Sequence, residues 1–538
     1  MKTFFCILAS SVFVFSSIKI SAQVIPDHRR FDWSKAGYEG TIPEPKLIIN
    51  VKNFGAYGDG VHNDYNSIMK AINSSSKLRV IFFPKGLYLI RSTLKLPSNT
   101  VLRGEGVVSR LKFDLSSSTN KNCIEVVAGK QPRFVSAISG YSKGSHVVTV
   151  SNSSGFVAGE FVEIRELNGK WDTHPLGEYA VGQIMKIKSV KGSTITFEET
   201  LRIGYSSDLK PEVRPLFPVS NTGIECLKLI RVESKAMHGK TISFSEAINC
   251  WVTGVESSKG QDQHIAIKTS SHITISGCYF HDAYSYDGGG NGYGVQLMQH
   301  TSDCKVENSV FVRLRHSMML ASGANGNVIA YNYSTDPKST TEMPRDAIGD
   351  LSLHGHYPFA NLIEGNIVQN IFLDDYWGPN GPYNTFFRNR AELYGIAIED
   401  EYNYAVKTNK QNLVGNEVTN TGVNKGNYVL KGSAHFTWGN NIRKMIEPTG
   451  TDSLDDKSYY LNGQPYFWNI KAPWPDIGIP NALGSGTNPA KKRYLAGDNI
   501  TDCSKEKNQL IVKDINNRSR NKVITDSIKR GALIVFKH

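Results

Sequence analysis

Cysteine is scarce in this chain, seven in 538 residues, and no two share CxxC spacing, so a structural zinc site is not expected. Long apolar runs are missing beyond Phe15, which leaves nothing fit to span a bilayer. No stretch sustains the 3.6-residue apolar period of a helical bundle. The formal net charge is +12, yet no basic helix or arginine block gathers it. Spread in this way the charge fits a polyanionic glycan better than nucleic acid, and it serves solubility equally well.

What is present begins with Lys2, an apolar run from Phe4 to Phe15, and the small residues Ser21 and Ala22 before Gln23. This is the pattern of a secretory signal over residues 1–22, and it predicts a secreted or periplasmic protein with no membrane span. Six cysteines follow it: Cys123, Cys226, Cys250, Cys278, Cys304 and Cys503. Disulfides are permitted in such a compartment. Cys226 lies about one repeat before Cys250, within reach of a bridge, although a buried free pair is the preferred reading.

Seven short segments share one pattern, a polar residue, an apolar pair or alternation, then Asn or Gly about five residues on. They start at Asn249 (NCWVTG), His272 (HITISG), Asp303 (DCKVEN), Asn327 (NVIAYN), Asn361 (NLIEGN), Asn384 (NTFFRN) and Gln411 (QNLVGN), 23 to 34 residues apart. That spacing is one coil of a stacked solenoid, and the β-branched and aromatic content makes the coil strands and tight turns. Asn at the repeat end suits a left-handed turn residue whose side chain bonds the next coil. Cys250 and Cys304 take the same repeat position and are expected in the core. A β-sandwich with Asn-rich turns is the weaker alternative, because a sandwich needs no fixed period.

The chain therefore divides into the signal (1–22), an N-terminal linker (23–48), a cap with the first coils (49–106), the main coils (220–435), a capping segment (436–505) and a tail (506–538). Asp64 to Asn73 reads as a short helix in the cap. Between 107 and 219 the rhythm is lost, and HVVTVS, EFVEIRE, QIMKIKSV and STITFEE suggest a small inserted antiparallel β unit. The Trp-, Pro- and Gly-rich stretch containing PYFWNIKAPWPDIGIP is suited to cover the open end of a solenoid.

The run NFGAYGDGVHNDYNSIMKAI, followed by VIFFPKGLYLI and STLKLPSNTVLRGEG, resembles the opening of pectate-lyase-superfamily proteins of the rhamnogalacturonase and epimerase-like type. The matching residues include Phe54, Gly55, Asp59, Gly60, Asp64, Ala71, Ile72, Pro84, Gly86, Tyr88, Leu102, Gly104 and Gly106. The chain departs from the family at Asn63, Asp64 and Tyr65, where a second acid and a threonine are usual. The resemblance implies an all-β fold, a right-handed parallel β-helix, and carbohydrate processing. It does not choose among lyases, hydrolases, epimerases and phage tailspikes, which share the architecture. The final LIVKDINNRSRNKVITDSIKRGALIVFKH resembles the end of sorting domains of Bacteroidetes-type secretion, and a plain terminal hairpin explains it as well.

Potential catalysts are densest between His281 and Glu401. Aligning coils by the repeats sets His316 level with Asp350, Leu320 with His354 and Ser322 with His356. On that alignment Asp350, Ser352, His354 and His356 share one outward strand face, because charged groups and imidazoles fill a solenoid core only at high cost. The next coil would bring Asp375 beside Ser352 and Trp377 beside His354. The catalytic candidates are thus His316, Asp350, His354, His356 and Asp375. Trp377, Tyr284 and Tyr286 are candidates for stacking on sugar rings. Arg315, Arg345, Arg388 and Arg390 are candidates for pairing with uronate carboxylates, with Gln296 and His300 as further substrate contacts.

On a uronic-acid glycan this set suggests β-elimination, in which the substrate carboxylate is neutralised and the adjacent proton removed. Arginine, or a calcium ion held by Asp350 and Asp375, would neutralise; His354 or His356 would act as base; a tyrosine or the second histidine would protonate the leaving oxygen. Plainer roles stand beside these. HGH could ligate a metal, His316 could be a structural histidine, Asp350 a turn cap, Asp374 with Asp375 a solvated pair, and Gly288 to Gly290 a loop over the groove. A hydrolase would need converging carboxylates, for which Asp350, Asp375 and Glu399 are the available set. A non-catalytic glycan-binding solenoid is the third reading. The expected partner is an acidic polysaccharide, with no nucleic acid, and the expected state is a monomer.

Overall fold

The computed structural model describes residues 23–116, 121–232, 238–340, 349–399, 406–498, 500, 501 and 503. The proposed signal peptide, the C-terminal tail and Arg345 lie outside them. Among the described residues no helix is long and apolar enough to cross a membrane.

All seven repeats fall in one parallel sheet. Ala247–Thr253, Ser271–Ser276, Lys305–Glu307, Val328–Ala330, Leu362–Glu364, Thr385–Phe387 and Asn412–Val414 follow one another there, each paired in parallel with the next. Their central residues stack in register as Ile275, Val306, Ile329, Ile363, Phe386 and Leu413. All six are fully buried in one lumen core. Cys250 and Cys304 share a neighbouring column, separated by Ile273. The fold is the expected all-β, right-handed parallel β-helix. A second long parallel sheet carries the coil returns, among them Tyr293–Met298, His316–Leu320, Leu351–His354, Ile367–Asp374 and Arg390–Ile398.

The recurring asparagines do bond from coil to coil, in two ladders. Asn327, Asn361, Asn384 and Gln411 form one, with amide-to-oxygen distances of 2.9, 2.9 and 3.0 Å. Asn332, Asn366, Asn389, Asn416 and Asn440 form the other at 2.9 to 3.0 Å. The expected left-handed asparagine occurs at Asn249 and Asn308, with φ of 54° and 49°, whereas in the ladders the left-handed residue is the one before the asparagine, as at Tyr331, Arg388 and Ala360 with φ of 54°, 52° and 54°. The turn thereby aims each amide into the lumen, where burial would otherwise leave backbone carbonyls without donors.

The inserted unit begins later than its sequence suggested. Solenoid strands persist through Ser109–Phe113 and Ile124–Val127, both paired in parallel with later coils. Val135–Ser139, Val147–Val150, Phe161–Glu166, Val181–Lys191, Thr194–Phe197 and Glu212–Leu216 then close an antiparallel barrel. Its apolar interior is continuous with Phe359 and Ala360 of the solenoid. Buried polar contacts add register: His300 Nδ1 meets Glu163 at 2.6 Å, Arg202 pairs with Asp303, and Asn325 donates to the Gly182 carbonyl at 3.0 Å. Gly182 is needed there, since a Cβ would sit 2.6 Å from the His300 ring.

Two further expectations change. Residues 23–46 are not a free linker but a strap along the coils, held by Trp33 Nε1 on the Ala360 carbonyl at 2.8 Å and Tyr38 N on Thr274 at 2.8 Å. The aromatic C-terminal stretch does not cap the open end. It returns down the flank, where Tyr459 N meets Glu364 and Tyr460 meets Glu307, while the hairpin of Asn440–Ile442 with Met445–Glu447 lies at that edge. The outer faces of Val328, Leu362, Phe387 and Val414 need this cover, because they are as apolar as the lumen. Cys226 accordingly pairs with Cys503 at the end of that return, Cα atoms 5.5 Å apart, and not with Cys250, which stays a buried thiol.

Candidate active site

A cavity of about 600 Å³ opens on the second sheet, between the barrel and the coils. Its floor comes from Gln296, Met319 and Ser322; one wall from Tyr293, Arg315 and the loop of Gly288 to Gly290; the other from His354, His356, Tyr376, Trp377 and the barrel residues His174 and Leu176.

The strand register decides which imidazoles arrive there. Met318 pairs with Leu351, and Ser352 with Phe372, so His354 stands opposite Asp374. His354 Nδ1 meets Asp374 Oδ2 at 2.6 Å, and that carboxylate is wholly buried. In the neutral imidazole, the tautomer that donates Nδ1–H to this carboxylate leaves the Nε2 lone pair free. The strand Leu351–His354 then ends, because Gly355, His356 and Tyr357 all have positive φ (64°, 52° and 67°). Gly355 is required at this turn, since a Cβ would lie 2.8 Å from the carbonyl oxygens of Trp377 and Gly378. The turn swings His356 off the shared face and onto the barrel, where its Nδ1 meets Asp172. Burial pulls the His356 pKa down while the Asp172 charge opposes the shift.

Opposite, Arg315 Nη1 lies 3.2 Å from the Tyr293 hydroxyl and 3.2 Å from His316 Nε2. Burial, Arg315 and His354 hold the His316 pKa well below its usual value. His316 Nδ1 donates to the Gly349 carbonyl at 3.1 Å, and its ring lies 5.6 Å from that of His354. It is a neutral, structurally committed imidazole behind the cavity. Burial raises the Tyr293 pKa, so its hydroxyl keeps its proton.

Several sequence candidates lie elsewhere. Asp350 precedes its strand and is wholly buried beside Ser317, whose hydroxyl is 2.7 Å from Ser334. Ser334 is the register neighbour of the lumen residue Phe311, so Asp350 belongs to the lumen and not to the groove. Asp375 is committed to the amides of Lys407 and Thr408 and to the Thr408 hydroxyl. It faces neither Ser352 nor Asp350, so these two acids do not form a calcium pair. Among the described residues no three His, Cys, Asp or Glu side chains form a metal-ligand cluster. His300 is the barrel tether. Tyr284 donates to the Arg231 carbonyl, and Tyr286 accepts from Ala283 N. Arg390 pairs with Glu417, and Arg388 binds carbonyls of the C-terminal return, both away from the cavity. Glu399 pairs with Lys431. The cavity thus brings together His354, His356, Arg315, Gln296 and Trp377 of the candidates. It adds Tyr293 and His174 to its lining, with Asp374 and Asp172 standing behind His354 and His356. Asp172 and His174 come from KWDTHPLGEY, a loop rich in chemistry but outside the repeats.

Residues 48–146 match the family model described as rhamnogalacturonase A/epimerase, pectate lyase-like, which bears out the resemblance of the N-terminal run. A stretch of 171 residues, 31% of this chain, is 27% identical to a probable glucan endo-1,3-beta-glucosidase of Arthroderma benhamiae, covering 19% of that protein. Another of 58 residues, 11% of this chain, is 43% identical to the preneck appendage protein of Bacillus phage PZA, covering 6% of it. The chain therefore spans less than a fifth of either relative. Among solved structures, an exopolygalacturonase from Thermotoga maritima aligns with a TM-score of 0.40 at 14% identity, over 71% of this chain and 83% of that one. PfbA, a surface adhesin of Streptococcus pneumoniae, aligns with a TM-score of 0.38 at 13% identity, over 73% and 84% of the two chains.

Proposed function

We propose that this chain is an exported polysaccharide lyase that cleaves a uronic-acid-containing glycan by β-elimination in the groove between barrel and coils. The observation that carries the reading is the pairing of a carboxylate-backed imidazole, His354 with Asp374, with Arg315 and a protonated Tyr293 in one cavity. Among the described residues, none of those lining the cavity is an aspartate or glutamate. A hydrolase needs carboxylates there.

In this reading Arg315 pairs with the substrate carboxylate and lowers the cost of the charge that develops next to it. His354 Nε2 takes the proton on the carbon bearing that carboxylate. The electrons of the broken C–H bond form a double bond to the neighbouring carbon, whose bond to the glycosidic oxygen breaks. Tyr293 gives its proton to that oxygen, and Arg315, 3.2 Å away, stabilises the phenolate until His354 returns a proton through solvent. Asp374 keeps the imidazole in the tautomer with Nε2 free.

The test is to incubate the protein with pectate, alginate and other uronans and follow the ultraviolet absorbance of the unsaturated sugar end. Absorbance should grow, and His354→Ala should lower kcat by roughly 10²- to 10⁴-fold, the usual worth of a general base. Reducing ends without absorbance would replace elimination with hydrolysis. Binding with neither signal would make the protein a glycan-binding solenoid, and full activity in His354→Ala would remove the assigned base.

A further inference from the structure

The barrel reaches the cavity through one loop, and that loop is built around a buried carboxylate. Asn168 Nδ2 donates to the Asp172 and Gly177 carbonyls, both at 2.7 Å, which folds the loop back on itself. Gly177 packs so closely that a Cβ there would overlap the Asp172 carboxylate. One carboxylate oxygen accepts from His174 N at 2.9 Å. The other faces His356, 184 residues away on the solenoid. Both side chains are nearly buried, 4% and 6% exposed. Trp171 and Tyr357 lie ring to ring at 5.4 Å beside this pair, and Gly378 leaves room for the Trp171 indole. His356 in turn stacks near Trp377, centroids 5.8 Å apart and planes 25° apart.

A carboxylate beyond one ring nitrogen fixes which nitrogen carries the hydrogen. Asp172 can only accept, so His356 Nδ1 donates, and Nε2 is left as an acceptor beside Trp377 at the cavity wall. Such an imidazole, next to an aromatic face, suits a sugar ring, whose apolar face stacks and whose hydroxyls donate. We propose that Asp172 is a positioning residue: it holds His356 in the Nδ1–H tautomer so that Nε2 accepts a hydrogen bond from a hydroxyl of the bound glycan, which makes the barrel a working part of the groove. The inference rests on the groove being the glycan site and adds to it the residue on which one wall depends.

Asp172→Asn nearly preserves shape but offers an amide donor, which His356 Nδ1 meets by giving up its hydrogen to Nε2. Nitrogen-15 chemical shifts of labelled histidines, with His356→Gln to assign the signal, read this tautomer without substrate. The expected result is Nδ1–H in the parent protein and Nε2–H in Asp172→Asn. In uronan cleavage, Asp172→Asn and His356→Gln should each raise KM about tenfold, the worth of one hydrogen bond, with a smaller change in kcat. The double variant should be no worse than His356→Gln alone. An unchanged tautomer, or an Asp172→Asn defect that persists in full on the His356→Gln background, would overturn the proposal. A parent protein that cleaves no uronan would count against elimination, and the tautomer would still decide Asp172.

Discussion

Asp350→Asn separates a lumen residue from a catalytic one. Burial pushes the Asp350 carboxyl up to about 6 from 3.8. In the unfolded chain the group ionises near its ordinary value, so between those two pH values the folded state binds the extra proton and stability falls as pH rises through the window. Above about pH 6 the ionised group costs the fold about two pKa units at 1.36 kcal/mol each, ~3 kcal/mol. Asparagine keeps the shape. Its oxygen can still accept from Gln369 N, now 2.7 Å from the carboxylate, and its amide can donate toward Ser317. The variant is therefore expected to be more stable than the parent by up to ~3 kcal/mol near pH 8, with the gain shrinking below about pH 6 and absent near pH 4. Urea midpoints measured across that range give the difference, and uronan cleavage by the same preparations should be unchanged. Lower stability near pH 8, or lost cleavage in a folded variant, would refute the placement of Asp350 in the lumen.

Asn366→Ala in the second ladder should destabilise the coils by at least about 3 kcal/mol. It strips the acceptor from Asn332 N and Nδ2, both at 3.0 Å, and the donor from the Ile329 carbonyl at 2.8 Å, each loss costing about 1 to 3 kcal/mol. An unaltered urea midpoint would mean that the ladder adds nothing. Cys123, Cys250, Cys278 and Cys304 are buried, and burial pushes the Cys123 and Cys250 thiols up to about 11 and about 12. They should resist a thiol reagent until urea is added, and peptide mapping without reductant should find Cys226 joined to Cys503; a Cys226 to Cys250 pair would contradict the C-terminal return.

The solenoid was legible because one short pattern encodes both of its supports. The apolar centre of each repeat fills the lumen and the asparagine after it satisfies the coil turns, so the sheet through Ile275, Val306 and Ile329 could be read from spacing alone. The same arithmetic carried less well to the neighbouring sheet. Coils differ in how many residues they spend between sheets, and the steps from His316 to Gly349 and from His354 to Asp374 are 33 and 20 residues, not the 34 and 23 of the repeats. An error of one to three residues turns a strand face over or shifts a partner along the chain. It set Asp375 beside Ser352, where Phe372 stands, and Trp377 beside His354, where Asp374 stands. Asp350 was misplaced for another reason, since it precedes the strand Leu351–His354 and so escapes the alternation of Ser352 and His354. The barrel wall has no register to count at all. Asp172 and His174 reach the groove through a loop closed on itself, and only the crowding of Trp, Asp, His and Pro between two strands marked it. Repeat counting can therefore find the wall of a groove that the coils build. The wall supplied by an insertion becomes visible only when the insertion's own buried partner, here His356 for Asp172, is located on the coils.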